Sequence, residues 1–268
     1  RCNNMAALTN KEMVNVLKGE DVKVNILVIN CSPKAKSNSQ VPMDAVIEAV
    51  KGIPGANVDT FHFANKKIEY CRHCRAHYCV EHQECVFQDD FQAFKAKWLW
   101  ADGIVWVSPV YHMGPPSKVR AVLDRLSEVE FGSVHDRMKK QNCGLIYPKF
   151  YKAVGAVVHG ATRFGGQELT CQFFINHAVL LDCMPISGNM PECYIGALGH
   201  SPNPEALGND KSFLESARSV GVRVTEAAKI MKAARTLLYD DLDEQWFPSQ
   251  EVMGGFDKAG FIARLENQ

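Results

Sequence analysis

The chain has 268 residues, of which 46% are hydrophobic and 22% charged, ordinary proportions for a soluble globular protein able to bury a core without disulfide staples. Thirty basic and thirty acidic side chains cancel, and no basic run occurs, so nucleic acid and anionic membrane surfaces are disfavoured as partners. No apolar run approaches the length of a membrane span.

In chain order, the first 21 residues lack the compact apolar stretch of a signal peptide, and "TNKE" (9–12) fits a capping box opening a short helix. "VKVNILVIN" (22–30) is β-branched and almost wholly apolar, the pattern of a strand covered on both faces. A helical stretch (41–51) leads to "NVDTFHF" (57–63), whose alternation suits a strand nearer an edge. A polar, cysteine-rich stretch (70–86) precedes a helix at 89–100 and a second buried-strand run, "GIVWVSPVY" (103–111). A helix at 117–129 and a polar insertion at 131–150 follow, then "KAVGAVVHG" (152–160), a helix at 168–181, a short fifth strand in "MPISG" (184–188) and a helix at 211–238.

Strand alternating with helix implies a doubly wound α/β sheet, with ligand sites at the carboxyl ends of its strands. No repeat, low-complexity segment or Pro/Gly-rich linker marks a second domain. We therefore expect one domain over 1–268, with its core at about 22–232 and an irregular aromatic tail at 239–268 packing on the domain or on a neighbouring subunit. Ten cysteines in a chain this long do not suggest a small disulfide scaffold, and Cys31, Cys171 and Cys183 fall in or beside apolar elements as small hydrophobes. A reducing cytoplasm is the expected location.

Three loops follow strand ends. In "INCSPKAKSNSQ", Ser32, Ser37, Asn38 and Ser39 offer hydroxyl and amide donors just before a helix N-terminus, a natural cradle for phosphate, and Lys34 adds charge. Neither G-x-x-x-x-G-K-[ST] nor G-x-G-x-x-G occurs, which disfavours ATP hydrolysis and a Rossmann dinucleotide site. In "SPVYHMGPPSKVRAVLDRL", prolines and Gly114 make a rigid loop presenting Tyr111, His112 and Met113, suited to stack a flat heterocycle. In "HGATRFGGQEL", Gly160, Gly165 and Gly166 permit close backbone approach before the next helix.

Taken in order, "SPKAKSNS", "SPVYHMGPPSKVRAVLDRL" and "GATRFGGQE" resemble the corresponding loops of the flavodoxin-like NAD(P)H-dependent FMN reductase family. The cysteine loop followed by "DDF" resembles the iron–sulfur flavoprotein branch of that family. The resemblance implies a flavodoxin-like five-stranded parallel sheet with helices on both faces, FMN as the cofactor and NAD(P)H as the electron donor. It puts the phosphate loop on Ser32, Lys34, Ser37, Asn38 and Ser39. The isoalloxazine segment becomes Pro109, Val110, Tyr111, His112, Met113 and Gly114, and the second flavin loop runs from His159 and Gly160 through Arg163, Gly165 and Gly166 to Gln167. It also implies a homodimer or homotetramer.

Cys71, Cys74, Cys79 and Cys85 read C-x2-C-x4-C-x5-C, whereas the resembling branch usually begins C-x2-C-x2-C, a third position held here by His77. Four thiolates suit a [4Fe–4S] cluster; a structural zinc and no metal at all are the other readings. His73, His77 and His82 are expected to be surface residues. The chemistry implied is reduction of a small electron-poor acceptor such as a quinone, nitro compound or flavin, with Tyr111, His112 and His159 as candidate proton donors. The alternatives are an electron-transfer flavoprotein serving a ferredoxin-like protein and a non-catalytic flavodoxin-like module stabilised by zinc.

Overall fold

The apolar runs of the sequence have no polar face to turn toward water, and each becomes an interior strand. In a computed structural model, which describes residues 22–74, 78–79, 82, 84–141, 152–189 and 193–238, five strands are β1 (Val24–Asn30), β2 (Ala56–His62), β3 (Gly103–Pro109), β4 (Ala153–Gly160) and β5 (Met184–Pro185). All pair in parallel in the order β2-β1-β3-β4-β5, a flavodoxin-like doubly wound sheet. Every residue of β3 and β4 is buried, while the alternating β2 takes the edge position its pattern called for.

Alternate residues of β1 serve two cores. Leu27 and Ile29 join Phe94, Trp98, Trp106, Leu126 and Phe174 on one face, where α2 (Phe91–Trp100), α3 (Ser117–Gln141) and α4 (Gln167–Leu180) pack. Val24, Ile26 and Val28 join Met43, Val46, Val220 and Val224 on the other, beneath α1 (Gln40–Lys51) and the long C-terminal helix α6 (Lys211–Leu238). The preceding helix, α5 (Pro204–Asn209), is a short piece capped by the Asn203 side chain.

Two expectations change. The polar insertion begins as helix, since α3 runs on through Gln141; "DRMKKQ" is rich in good helix formers and holds no proline. The fifth strand position is filled by two pieces. Only Met184–Pro185 of "MPISG" pairs with the lower end of β4, and β6 (Ala197–His200), absent from the sequence reading, pairs with its upper end. The expected capping box at 9–12, the insertion from 142 to 151 and the tail at 239–268 lie outside the described residues. Among the described residues no helix is long and apolar enough to cross a membrane.

α6 comes close to β4 because Gly155 has no side chain: a Cβ there would meet Val220 at 2.6 Å, Val224 at 2.7 Å and the Ile186 carbonyl at 3.3 Å. Gly155→Ala is expected to destabilise the fold by about 1–3 kcal/mol through overpacking, read as a lower urea midpoint with an unchanged slope.

Candidate functional site

A cleft of about 230 Å³ opens at the carboxyl edge of the sheet, between the loops that leave β1, β3 and β4. Its floor is the segment from Ser32 to Ser39. Asn30 Oδ1 accepts from Ser32 N at 3.0 Å and Ser32 Oγ from Lys34 N at 3.2 Å, folding the segment back toward α1. Ser39 precedes α1 but does not cap it, and no acidic residue occupies the first turn. Ser37 Oγ is buried with no hydrogen-bond partner among the described residues. A buried hydroxyl normally has a partner, and an uncapped helix start favours an anion, so both features suit a phosphate. Lys34 and Lys36 line the same cleft from exposed positions.

Pro42 has no N–H and Val41 N already donates to Asn38 O, so the Ser39 hydroxyl finds its partner elsewhere. It lies 2.8 Å from Nε2 of His159, while Nδ1 of the same ring lies 2.7 Å from Ser201 Oγ. His159 is only 4% exposed, and burial lowers its pKa to about 4, so the imidazole is neutral at ordinary pH. It was a candidate proton donor. With both nitrogens committed to serines, the geometry makes it a tie between the loop after β1, the end of β4 and the residue just after β6.

The second loop is a tight reversal. Tyr111 N donates to Gly114 O at 2.8 Å and Gly114 N to Tyr111 O at 3.1 Å, with His112 at φ +48° and Met113 at φ +58°. Two consecutive left-handed residues define a type I′ turn, for which Asn-Gly is the usual choice. Here His and Met adopt it, a strained arrangement that turns both side chains out toward solvent. Tyr111 (42% exposed) and Met113 (56%) form an open apolar wall beside the cleft.

The third loop supports that wall. Gly166 has φ +101°, and a Cβ on it would lie 2.8 Å from Met113 Cα. Gln167 is buried; its Oε1 accepts from Gly165 N at 2.9 Å and its Nε2 donates to Thr162 O at 2.5 Å, so the side chain braces the loop from inside. Of the predicted site residues, the phosphate-loop set, Pro109, Val110, Tyr111, His159 and Gly160 line the cleft. His112, Met113, Gly114, Arg163, Gly165, Gly166 and Gln167 belong to its rim and supports. Ala161, within the second loop as assigned, lines it too, whereas Lys36 and Ser201 also line it and were missed. Ser201 follows the overlooked strand β6, for which the short apolar "ALGH" before "SPNP" was the available signal.

The cysteine loop leaves the same sheet edge from the end of β2. Cys85 is buried, Cys71 and Cys79 partly so, and Cys74 is exposed. Burial raises the Cys79 pKa, and the neighbouring thiols of Cys85, Cys71 and Cys74 raise it further, so these three lie within electrostatic reach of Cys79. Among the described residues no three His, Cys, Asp or Glu side chains close on a metal position. The donor set nonetheless fits a thiophilic metal group, being four thiols on one loop. His77 lies outside the described residues. By contrast, Cys31, Cys171 and Cys183 are inert core thiols, the latter two pushed up to about 12 chiefly by burial.

A second cavity, about 220 Å³, lies between α4 and the broken fifth strand, lined by Val154, Phe174, Ile186 and Tyr194 among others. It carries no cationic side chain and no uncapped helix start, so the strand-end cleft is the candidate site.

The profile of the family described as NADPH-dependent FMN reductase matches residues 24–191. The chain belongs to that family. An iron–sulfur flavoprotein of Methanocaldococcus jannaschii is 29% identical over 211 residues, covering 78% of this chain and 100% of the relative. Another, from Archaeoglobus fulgidus, is 30% identical over 211 residues, covering 77% of this chain and 98% of the relative. These similarities put the chain in the iron–sulfur flavoprotein branch of the FMN reductase family. Among solved structures, a RosB crystal structure (TM-score 0.56, 12% identity, 91% of this chain and 88% of that one) and a flavone reductase (TM-score 0.55, 18% identity, 78% and 65%) share the fold.

In this FMN reductase family member, two consequences of the site can be measured. Gly166→Ala should destabilise the protein by roughly 1–2 kcal/mol through left-handed strain and displace the Tyr111–Gly114 turn, read as weaker flavin retention at unchanged secondary structure. The second concerns acid. Burial holds His159 and His177 at about 4 against an ordinary 6.5, so the unfolded chain takes up protons first as pH falls. Stability should be flat above pH 6.5, decline between 6.5 and 4, and have lost roughly 2 kcal/mol per imidazole by pH 5, measured by urea unfolding.

Proposed function

We propose that the chain is an FMN-dependent NAD(P)H oxidoreductase that reduces a small electron-poor acceptor such as a quinone, nitro compound or flavin. The observation that carries this reading is Ser37 Oγ, buried and unpartnered at an uncapped helix start, in the cleft flanked by the Tyr111–Met113 wall. Family membership supports the same cofactor. When bound, FMN would supply hydride acceptance from a reduced nicotinamide and onward transfer to the acceptor.

The chain's own contributions follow from placement. The Ser37 hydroxyl, the α1 N-terminus and the Lys34 and Lys36 ammonium groups would hold the phosphate. His159 keeps Ser39 and Ser201 in register without adding charge. Tyr111, His112 and Met113 would stack against a planar ring and shield one face from water. Tyr111 and His112, both exposed at the rim, are the groups available to give a proton to a reduced acceptor.

A second reading, an electron-transfer protein serving a ferredoxin-like partner, is favoured by one observation: the thiols of Cys71, Cys74 and Cys85 lie within electrostatic reach of Cys79 on the loop that leaves the sheet edge carrying the cleft. A [4Fe–4S] group there would be held by Cys71, Cys74, Cys79 and Cys85 and would carry single electrons. We extend the proposal to a homodimer or homotetramer, which the exposed Phe164, Leu169, Leu180 and Tyr194 side chains support.

Heat-released ligand should be FMN by mass spectrometry, and a release product consisting only of FAD would overturn the assignment. Ser37→Asp should cut FMN retention at least tenfold by like-charge repulsion, since one pKa-unit equivalent of repulsion is about 1.4 kcal/mol. Purified protein showing flavin peaks alone supports the first reading; a broad additional anaerobic absorption favours the second.

A further inference from the structure

The cysteine loop is closed at its neck by an ion pair that no part of the flavin cleft requires. Arg125, on α3, is 1% exposed, with Nη1 2.7 Å from Asp89 Oδ2 and 2.9 Å from Oδ1. The same guanidinium donates to the Glu69 carbonyl through Nη1 and to the Phe87 carbonyl through Nη2, each at 3.1 Å. The Asp89 carboxylate accepts from Glu69 N at 2.7 Å and from Phe91 N at 3.0 Å. A second rung lies just outside: Lys67 N donates to Asp90 Oδ2 at 2.8 Å, and Asp90 N to Lys67 O at 3.0 Å.

The positions of these contacts in the chain are informative. Glu69 stands two residues before Cys71, and Phe87 two residues after Cys85. One side chain from a third element therefore grips the loop on both sides, next to its first and last thiols. Stability alone does not account for it. A buried ion pair is a poor stabiliser compared with apolar side chains of equal volume, and Arg125 Nε is buried without an acceptor among the described residues. What leucine and methionine could not do is hydrogen-bond two loop carbonyls and one loop amide at fixed separation. The pair is also locked in its charged form. Burial pushes the Asp89 carboxyl upward, but Arg125 and the backbone donors outweigh it and hold the group below the usual carboxylate range.

We infer that Arg125 and Asp89 are positioning residues that clasp the neck of the cysteine loop and thereby bring Cys71 and Cys85 to face one another with Cys74 and Cys79 between them. The inference rests on the loop being the thiol site of the proposed function, but it concerns the thiols themselves and not any one metal. The clasp acts before a metal arrives: it removes much of the loop-closure entropy that four ligands would otherwise have to overcome. The short-range neighbours reinforce it, since the Phe91 ring lies 4.2 Å and the Phe87 ring 5.8 Å from the Arg125 guanidinium carbon.

The test uses the full chain in two variants. Arg125→Lys keeps the charge and loses the fork, and the double variant Arg125→Met with Asp89→Leu removes both charges at once and so avoids an unpaired buried ion. Isotope-coded alkylation with peptide mapping reads the labelling rate of each cysteine in the metal-free protein; FMN content and cooperative melting report on the fold. Labelling of Cys85 should rise about tenfold or more in both variants as the neck opens, with FMN retained and Cys171 and Cys183 unchanged. After anaerobic reconstitution, iron and sulfide per chain should fall below half the wild-type content. Cys85 labelling at the wild-type rate in a variant that melts cooperatively overturns the clasp, whatever its iron content. Wild-type protein that takes up no iron would instead remove the cluster reading, and the labelling comparison would still decide the clasp.

Discussion

The imidazole of His159 is buried, uncharged and hydrogen-bonded at both nitrogens, and the chain segments that bound the cleft converge on it. Ser39 brings the start of α1, His159 brings the end of β4, and Ser201 brings the residue after β6. The Ser39 hydroxyl has no local alternative, since Val41 N already donates to Asn38 O and Pro42 offers no N–H for it to cap. Neutrality matters as much as geometry, because a buried cation there would need a counter-charge that neither serine supplies.

The same division of labour recurs around the ring wall. Residues that face the cleft are few, and each is held by a neighbour that never touches it. Gln167 braces the third loop from within, and Gly166 in that loop makes room for Met113 of the strained Tyr111–Gly114 turn. Strain at His112 and Met113 is tolerated because the strand end before them and the buried Pro115 and Pro116 after them leave the backbone little freedom to relax.

Much of this architecture was legible in the amino-acid order, for a physical reason. β1, β3 and β4 are buried on both faces, so their sequences are uniformly apolar and stand out against amphipathic helices. That the loop after β1 would line a cleft was legible because polar donors cluster there immediately before a helix. β6 was not, since four residues with only two buried carry little periodic signal, and Ser201 was lost with it. The role of His159 was equally hidden: its partners lie 120 and 42 residues away, and a histidine at a strand end looks alike whether it meets solvent or serine. Nothing in the local sequence sets Arg125 apart from the other cations of its helix, because its partners lie 36–56 residues away. The left-handed turn had no Asn or Gly at its centre to announce it.

The divided fifth strand couples the edge of the sheet to whatever occupies the cleft. β6 is held to β4 by a four-residue ladder, and Ser201 N donates to Gly160 O at 2.8 Å just beyond it. An edge of that length is the part of a parallel sheet most prone to fray, and fraying would withdraw Ser201 from His159 and release Ser39. Any ligand that binds only the assembled pocket must therefore favour the docked strand, by mass action, to the same degree that the docked strand favours the ligand. The outermost ladder of the sheet becomes a reporter of occupancy, its amides exchanging more slowly when the cleft is filled even though no atom of β6 need touch the ligand.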